Sequence, residues 1–302
     1  MNKRVLIIYY SQTGQLRQIV NNFAQPFESA MHEVEYITIE PEKPFPFPWD
    51  NERFFDAMPE CVTDKPMAIK PITVRHDKYD LIVFAWQPWF LSPSLPAIAA
   101  MHSDVICALI KNTPVITIAG SRNMWIQAQE RIRQWLKKNQ AIHVGNLVLK
   151  DKAPNLISAV TVQYWMLTGK KDKMWGIFPK PGIADDDIAS AVNFGLMACQ
   201  ALEESKLEDL HKNWLQKGAV QVNTTLMFIE SRAIMLFRIW AKIILSKKNR
   251  NLWINIFRYY LLFALFIISP IVIVLFTLII RPLLYKKLAQ QKIYAEGVNL
   301  RG

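Results

Sequence analysis

The sequence predicts an α/β fold: a doubly wound, five-stranded parallel sheet followed by a C-terminal membrane helix. Three observations lead to it. Short apolar runs alternate with helical periodicity over residues 1–150, the pattern of βαβ units whose strands are covered on both faces. The first apolar run enters the loop Ser11-Gln12-Thr13-Gly14 and passes without pause into a helical pattern. Near the other end, Tyr259 to Ile280 reads YYLLFALFIISPIVIVLFTLII, 22 residues without a charge, enough to cross a hydrocarbon core once as a helix.

Strands are expected at Arg4–Tyr9, Val34–Ile39, Tyr79–Ala85, Pro114–Ala119 and Gly145–Leu149. Helices fall between them: Leu16–Gln25, a piece near Leu95–Leu109, and Asn123–Lys138, where Trp125, Ala128, Ile132, Trp135 and Leu136 recur at helical spacing. Pro41 to Arg75 forms an insertion between the second and third strands, beginning PEKPFPFPWDNERFFDAMPE. Its repeated prolines argue against ordinary helix or central strand, while Phe45, Phe47, Trp49, Phe54 and Phe55 are too apolar to stay loose in water. A flap packed on the sheet and a lid over a hydrophobic substrate are both consistent with that composition.

After Leu149 comes an apolar segment, Asn155–Gly169, then a basic loop with Lys170, Lys171 and Lys173. A helix start follows, with Asp185 as N-cap and Asp186 and Asp187 in the first turn; it is expected to be the last helix covering the sheet. These elements place the α/β domain at residues 1–205. Residues 206–258 read as an amphipathic, membrane-interface segment, since Met227 to Leu245 mixes apolar residues with Arg232, Arg238 and Lys242. The apolar helix at 259–280 and a basic tail at 281–302 complete the chain. Pro270 stands mid-helix, where a single kinked span is favoured over a re-entrant hairpin.

The formal charge of +11 and pI near 9.5 would ordinarily raise nucleic acid as a partner. Much of the excess flanks the apolar run instead: Lys242, Lys247, Lys248, Arg250 and Arg258 before it, Arg281, Lys286, Lys287, Lys292 and Arg301 after it. That placement suits anionic lipid headgroups, and no nucleic-acid motif accompanies it, so membrane lipid is the expected partner and nucleic acid is not. The two flanks carry equal basic charge, so the positive-inside rule gives no orientation. Cys61, Cys107 and Cys199 lack C-x-x-C spacing and the five histidines are scattered singly, so neither a disulfide framework nor a metal site is expected. The N-terminal residues show no apolar h-region, so the bulk of the chain is expected to stay in the cytoplasm.

In a doubly wound sheet, ligands sit at the carboxyl ends of the strands beside the topological switch point. Three loops would meet there. The first, Ser11-Gln12-Thr13-Gly14-Gln15-Leu16, presents hydroxyls and backbone amides at a helix start, where an anion is stabilised. The second carries Trp86, Gln87, Pro88, Trp89 and Phe90 after the third strand, and the third carries Gly120, Ser121, Arg122, Asn123 and Met124 after the fourth. Together they offer aromatic walls and a few donors, the requirements of a flat heterocycle bearing a phosphate. Arg122 could favour negative charge developing on such a ring. The first turn lacks G-x-G-x-x-G, and neither a P-loop, a serine nucleophile elbow nor H-E-x-x-H occurs, which disfavours a dinucleotide Rossmann site, an NTPase, a serine hydrolase and a zincin.

The first loop resembles the phosphate loop of flavodoxins, except that Leu16 stands where a last Thr or Ser is expected. The second resembles the ring-walling loop of flavodoxin-like quinone reductases. The strings YYSQTGQL, KPFPFPW, QPWFLSPS, VITIAGSRNMW and RYYLLFALFIISPI, spread over residues 1 to about 285, resemble the flavodoxin-like proteins of bacterial dialkylresorcinol and flexirubin pigment clusters, called dialkylresorcinol condensing enzymes. That resemblance implies strand order 2-1-3-4-5 and FMN held by Ser11 to Leu16, Gln87 to Phe90 and Gly120 to Met124. It also implies a ketosynthase partner of the same pathway and a lipophilic substrate, a 2,5-dialkyl-cyclohexane-1,3-dione aromatised to a dialkylresorcinol. The inner membrane, with the flavin domain facing the cytoplasm, is the expected location, and a homodimer is left open. Asp50, Glu52 and His76 are weak candidates for a base, so no catalytic residue is assigned. A membrane-tethered NAD(P)H:quinone reductase, a flavodoxin-type electron carrier and a scaffold that has lost its flavin are the alternatives.

Overall fold

The computed structural model describes residues 2–298. Its main sheet has five parallel strands, β1 (Arg4–Tyr9), β2 (Glu33–Thr38), β3 (Leu81–Trp86), β4 (Pro114–Ser121) and β5 (Ile142–Lys150), in the expected order 2-1-3-4-5. The central strand β3, LIVFAW, is buried at all six positions, as a strand covered on both faces must be. β5 is longer than the sequence pattern suggests. Gly145 interrupts its apolar run and the β4 pairing shifts register between Val115 and Ile116, yet the ladder continues from Ile142 to Lys150.

Two helix layers cover the sheet. On one face lie α1 (Gln15–Ser29), α8 (Asp185–Ala189), α9 (Ala191–Glu203) and α10 (Leu207–Gln216); the other is packed by α6 (Ile126–Lys138), whose Trp135 ring meets Phe84 at 5.0 Å. α4 (Leu95–Met101) and α5 (Asp104–Ile110) are two helices where one piece was expected. The α1–α9 crossing is tight: a Cβ at Gly195 would lie 2.0 Å from the Phe23 carbonyl oxygen. Asp185 does not cap its helix. Ala184 holds the N-cap position, and all three aspartates occupy the first turn, where their charge favours the positive end of the helix.

The core also extends past residue 205. α10 packs on β5, with Leu207, Leu210 and Trp214 buried in the same cluster as the strands. Its apolar positions lie at i, i+3 and i+7 between charged residues, and Gly145 leaves the space that the Trp214 ring fills, so α10, not α9, is the last covering helix. His143 and His211 are core groups. His143 contacts Thr117 Oγ1 at 3.0 Å, and burial pushes its pKa down to about 3.

The insertion is helical after its last clustered proline: α2 (Asn51–Asp56) and α3 (Met58–Thr63) follow Pro48. Asp50 caps α2 by accepting from the Arg53 amide at 2.7 Å. α7 (Asn155–Thr168) corresponds to the apolar segment before Gly169. α11 (Thr224–Ser246) then runs beside α12 (Arg250–Leu283), the one helix among the described residues long and apolar enough to cross a membrane. α12 stays helical through Ser269-Pro270 without a turn, widening to π-helix at Ala264–Ile268 and Phe276–Ile280. α13 (Tyr285–Glu296) returns to the α/β domain. Arg301 lies outside the described residues.

Candidate functional site

A cavity of about 730 Å³ opens where β1, β3 and β4 end. The first loop closes one side. Gly14 has φ +85°, a conformation that lets the chain turn from β1 directly into α1 and that other residues adopt only with strain. The opening amides of α1 lack intrahelical partners, as at any helix start. The Ser11 hydroxyl accepts from the Arg17 amide at 3.2 Å, and Ser11 does not line the cavity; Gln12 and Thr13 do. Gln12 accepts from the Tyr10 hydroxyl and donates to the Pro46 carbonyl at 2.9 Å, joining this loop to the insertion.

Gln15 and Leu16 reach the cavity wall, but their side chains have structural work. Gln15 Nε2 donates to the Ile183 carbonyl at 2.7 Å, and its Oε1 accepts from the Ile183 amide at 3.2 Å. Leu16 is buried with its Cδ1 3.2 Å from where a Cβ on Gly120 would stand. The missing hydroxyl at position 16 is therefore matched by the missing side chain at position 120. Leu16 closes the floor of the loop with carbon instead of oxygen.

The second loop is a miniature antiparallel hairpin, Pro88–Trp89 against Ser92–Pro93. Phe90 and Leu91 at its tip both have positive φ, 49° and 62°, which the paired turn imposes on two non-glycine residues. The strained tip presents Gln87, Pro88, Trp89 and Phe90 to the cavity. Trp89 sits in a cage of rings: Tyr10 at 6.0 Å, Phe45 at 4.9 Å and Trp49 at 5.2 Å, all edge-to-face. Phe90 meets Phe54 at 5.1 Å, so the insertion supports the loop and, through Phe54 and Phe55, lines the cavity as well. Trp86 does not join this wall. It is the last residue of β3 and fully buried in the sheet core.

From the third loop, Gly120, Ser121, Arg122 and Met124 line the cavity and Asn123 does not. The Ser121 hydroxyl is buried without a hydrogen-bond partner. Arg122 donates from Nη1 to the Asn155 carbonyl at 2.8 Å and to Asn155 Oδ1 at 3.0 Å. Burial brings its pKa down to about 10, opposed by the charges of Asp151 and Glu230, so it stays protonated at neutral pH. Arg122 and Arg258 are the only charged side chains on the wall among the described residues. With the α1 N-terminus they make the site electropositive.

The weak candidates for a base lie elsewhere. Asp50 caps α2, Glu52 does not line the cavity, and His76 contacts Glu33 at 2.7 Å, where β2 begins, at the opposite end of the sheet. Of the protic groups that do line it, Tyr164 and Tyr260 come from α7 and α12, which the loop motifs did not indicate. α7 supplies a whole wall from Ala159 to Thr168. Its only sequence signal was being apolar around the entire helix, unlike a surface helix. A more open groove of about 860 Å³ between α6, α11 and α13 lies on the flank of the sheet, away from these loops.

A sheet of this order with its cavity at the β1/β3 switch point is the flavodoxin-like arrangement. The fold is flavodoxin-like. Among solved structures, the chain is similar to a flavoprotein in complex with FMN from Lactobacillus acidophilus NCFM, at 17% identity and a TM-score of 0.39, covering 48% of this chain and 93% of that one. It is similar to a flavodoxin from the domain Archaea, at 10% identity and a TM-score of 0.37, covering 66% and 99%. A flavone reductase matches at 12% identity with a TM-score of 0.35, covering 67% and 64%. No family model and no curated protein matches the chain.

Proposed function

We propose that this protein is an FMN-dependent oxidoreductase that aromatises a lipophilic 2,5-dialkyl-cyclohexane-1,3-dione to a dialkylresorcinol. The observation that carries the reading is the continuity of the cavity. It runs from the polar first loop and Arg122, past Trp89 and Phe90, into an apolar channel between α7, α11 and α12. An electron carrier would need only the first part; a substrate with long alkyl arms needs the second.

The donor set fits the cofactor. The α1 amides and Thr13 would hold the phosphate, Trp89 and Phe90 would wall the ring, and the unpartnered Ser121 hydroxyl would meet its polar edge. At about 730 Å³ the cavity lies within the range of pockets that enclose a whole ligand. When bound, FMN supplies a two-electron acceptor for hydride.

The chain's own residues then position and polarise the substrate. Conversion of the dione to the resorcinol removes two hydrogens, one as hydride and one as a proton. The hydride leaves the alkyl-bearing ring carbon opposite the diketone and the proton leaves the methylene beside it, alpha to a carbonyl. The wall carries no carboxylate or imidazole among the described residues, so a hydroxyl would take that proton. Arg122, held by Asn155 and protonated, would stabilise the enolate oxygen. Tyr260 on the wall is the group able to exchange the proton, since the Tyr164 hydroxyl donates to Asp172 Oδ1 at 3.2 Å.

Anaerobic mixing of the detergent-purified yellow protein with a synthetic dialkyl cyclohexanedione tests this. Bleaching of the flavin band with one resorcinol formed per flavin supports it. Absence of bleaching with the dione, together with bleaching by NADPH and reoxidation by quinone, replaces it with the quinone reductase reading. A protein that refuses riboflavin 5′-phosphate ends both.

A further inference from the structure

We propose that α12 lies in the plane of one membrane leaflet instead of crossing the bilayer, and that the cavity opens sideways into that leaflet. The proposal rests on the membrane reading of this helix but not on the flavin reading of the site.

Both ends of α12 are fastened to the same α/β domain. At its start, Arg250 pairs with Asp56 at 2.6 Å and Glu60 at 2.7 Å, on α2 and α3. About two turns on, the fully buried Phe257 packs against Phe55 and Phe237. At the far end Phe276, also fully buried, stacks on Phe228 with ring centroids 4.4 Å apart. The chain after it returns to the sheet. Arg133 donates to the Tyr294 and Gly297 carbonyls at 2.9 and 3.0 Å, and the His211 ring contacts the Glu296 carbonyl at 2.8 Å. The 19 helical steps from Phe257 to Phe276 span about 28 Å, close to the hydrocarbon thickness. A crossing helix would carry one of these anchors to the far side of the bilayer, away from the domain that holds both.

The face turned outward suits lipid. Tyr259, Phe263, Ile267, Ile271, Val274 and Leu278 follow one another at three- or four-residue steps and are 51–71% exposed, forming a single stripe. Met235 and Ile239 of α11, each 54% exposed, widen it. Charge selects the occupant. From residue 224 to 298 the chain has eleven basic and two acidic residues, and one of the two, Glu230, is fully buried. Exposed Lys242, Lys247, Lys248, Arg281, Lys286 and Lys287 flank the stripe at both ends, where anionic headgroups would lie. Leu236, Leu262 and Phe266 belong both to the exposed surface and to the cavity wall, so a lipid-dissolved substrate passes between them without entering water.

Topology decides the matter. Lys138→Cys on the α/β domain, Lys248→Cys before α12 and Gln290→Cys after it are made singly in full-length protein carrying Cys107→Ser. Each is treated with a membrane-impermeant maleimide in sealed right-side-out and inverted vesicles from expressing cells. All three are expected to label from one side; labelling of Lys248→Cys and Gln290→Cys from opposite sides overturns the proposal. Co-sedimentation tests the surface. Detergent-depleted protein should bind phosphatidylglycerol-containing vesicles at least tenfold more tightly than phosphatidylcholine vesicles. The combined Phe263→Ser, Ile267→Ser and Ile271→Ser variant, its fold checked by circular dichroism, should lose at least a hundredfold. Unchanged binding by that variant overturns the proposal. A colourless protein with same-side labelling would sink the flavin reading alone, and a yellow one with opposite-side labelling this inference alone.

Discussion

Glu230 offers the sharpest test of the packing between α11 and the site. It is fully buried, its Oε1 accepts from the Gln127 amide at 2.7 Å, and its Oε2 has no partner. Burial raises its pKa from 4.5 to about 7, while the amides at the start of α6 and the charge of Arg122 pull the other way. The unfolded chain therefore releases this proton near pH 4.5 and the folded chain near pH 7. Between those values the folded state binds more protons, so the contribution of Glu230 to stability is fully present below pH 4.5 and lost as pH rises to 7. The loss is about 3 kcal/mol.

His143 acts oppositely over an overlapping window. Its pKa of about 3 in the fold means that its contribution is gained as pH rises toward 6.5, so the wild-type slope alone is not diagnostic. The difference between wild type and Glu230→Gln isolates the carboxyl. Relative to wild type, the variant should gain about 3 kcal/mol between pH 4.5 and pH 8, roughly 6–12 °C in melting temperature. Thermal melts in one detergent at pH 4.5, 6 and 8 measure it. A gap that stays constant with pH would refute the raised pKa, and with it the dry packing of α11 on α6.

Three further outcomes follow from the geometry. Gln15→Leu leaves the buried amide and carbonyl of Ile183 unpaired and should cost about 2–4 kcal/mol, with weaker FMN retention; an unchanged melting temperature would show that the first loop is not tied to Ile183. Trp89→Ala removes the centre of the aromatic cage and should weaken FMN binding by roughly tenfold or more, read by fluorescence titration, with Trp89→Phe restoring part of it; equal affinity of the alanine variant and wild type would remove Trp89 from the ring wall. Gly195→Ala sets a Cβ 2.0 Å from the Phe23 carbonyl oxygen, forces α1 and α9 apart, and should destabilise by about 3 kcal/mol or more in chemical denaturation; a neutral effect would contradict that crossing.

Much of this molecule is legible residue by residue because its strands are buried on both faces. β1 to β5 were visible as apolar runs, and twelve of the fifteen expected cofactor residues line one cavity, since loops that leave parallel strands emerge at one end of the sheet. Other features depend on partners distant in sequence. Ser11 was expected to face the ligand and instead caps Arg17, and Trp86 belongs to the core, because an apolar aromatic at a strand end reads the same whether it faces the core or a ligand. α10 was hidden because it buries only four side chains, Leu207, Leu210, His211 and Trp214, among charged neighbours.

Local composition is enough to say that the chain forms a doubly wound sheet, that an anion-favouring loop follows its first strand, and that a charge-free helix lies near its end. Each of those statements concerns a single segment and its preference for water or for a helix terminus. Which residues share the cavity with that loop, and that both ends of the helix are fastened to the α/β domain, required the packed molecule. The wall from α7 and the anchors at Arg250 and Phe276 join positions about 35 to nearly 200 residues apart, whose contact depends on how the elements pack rather than on any one segment.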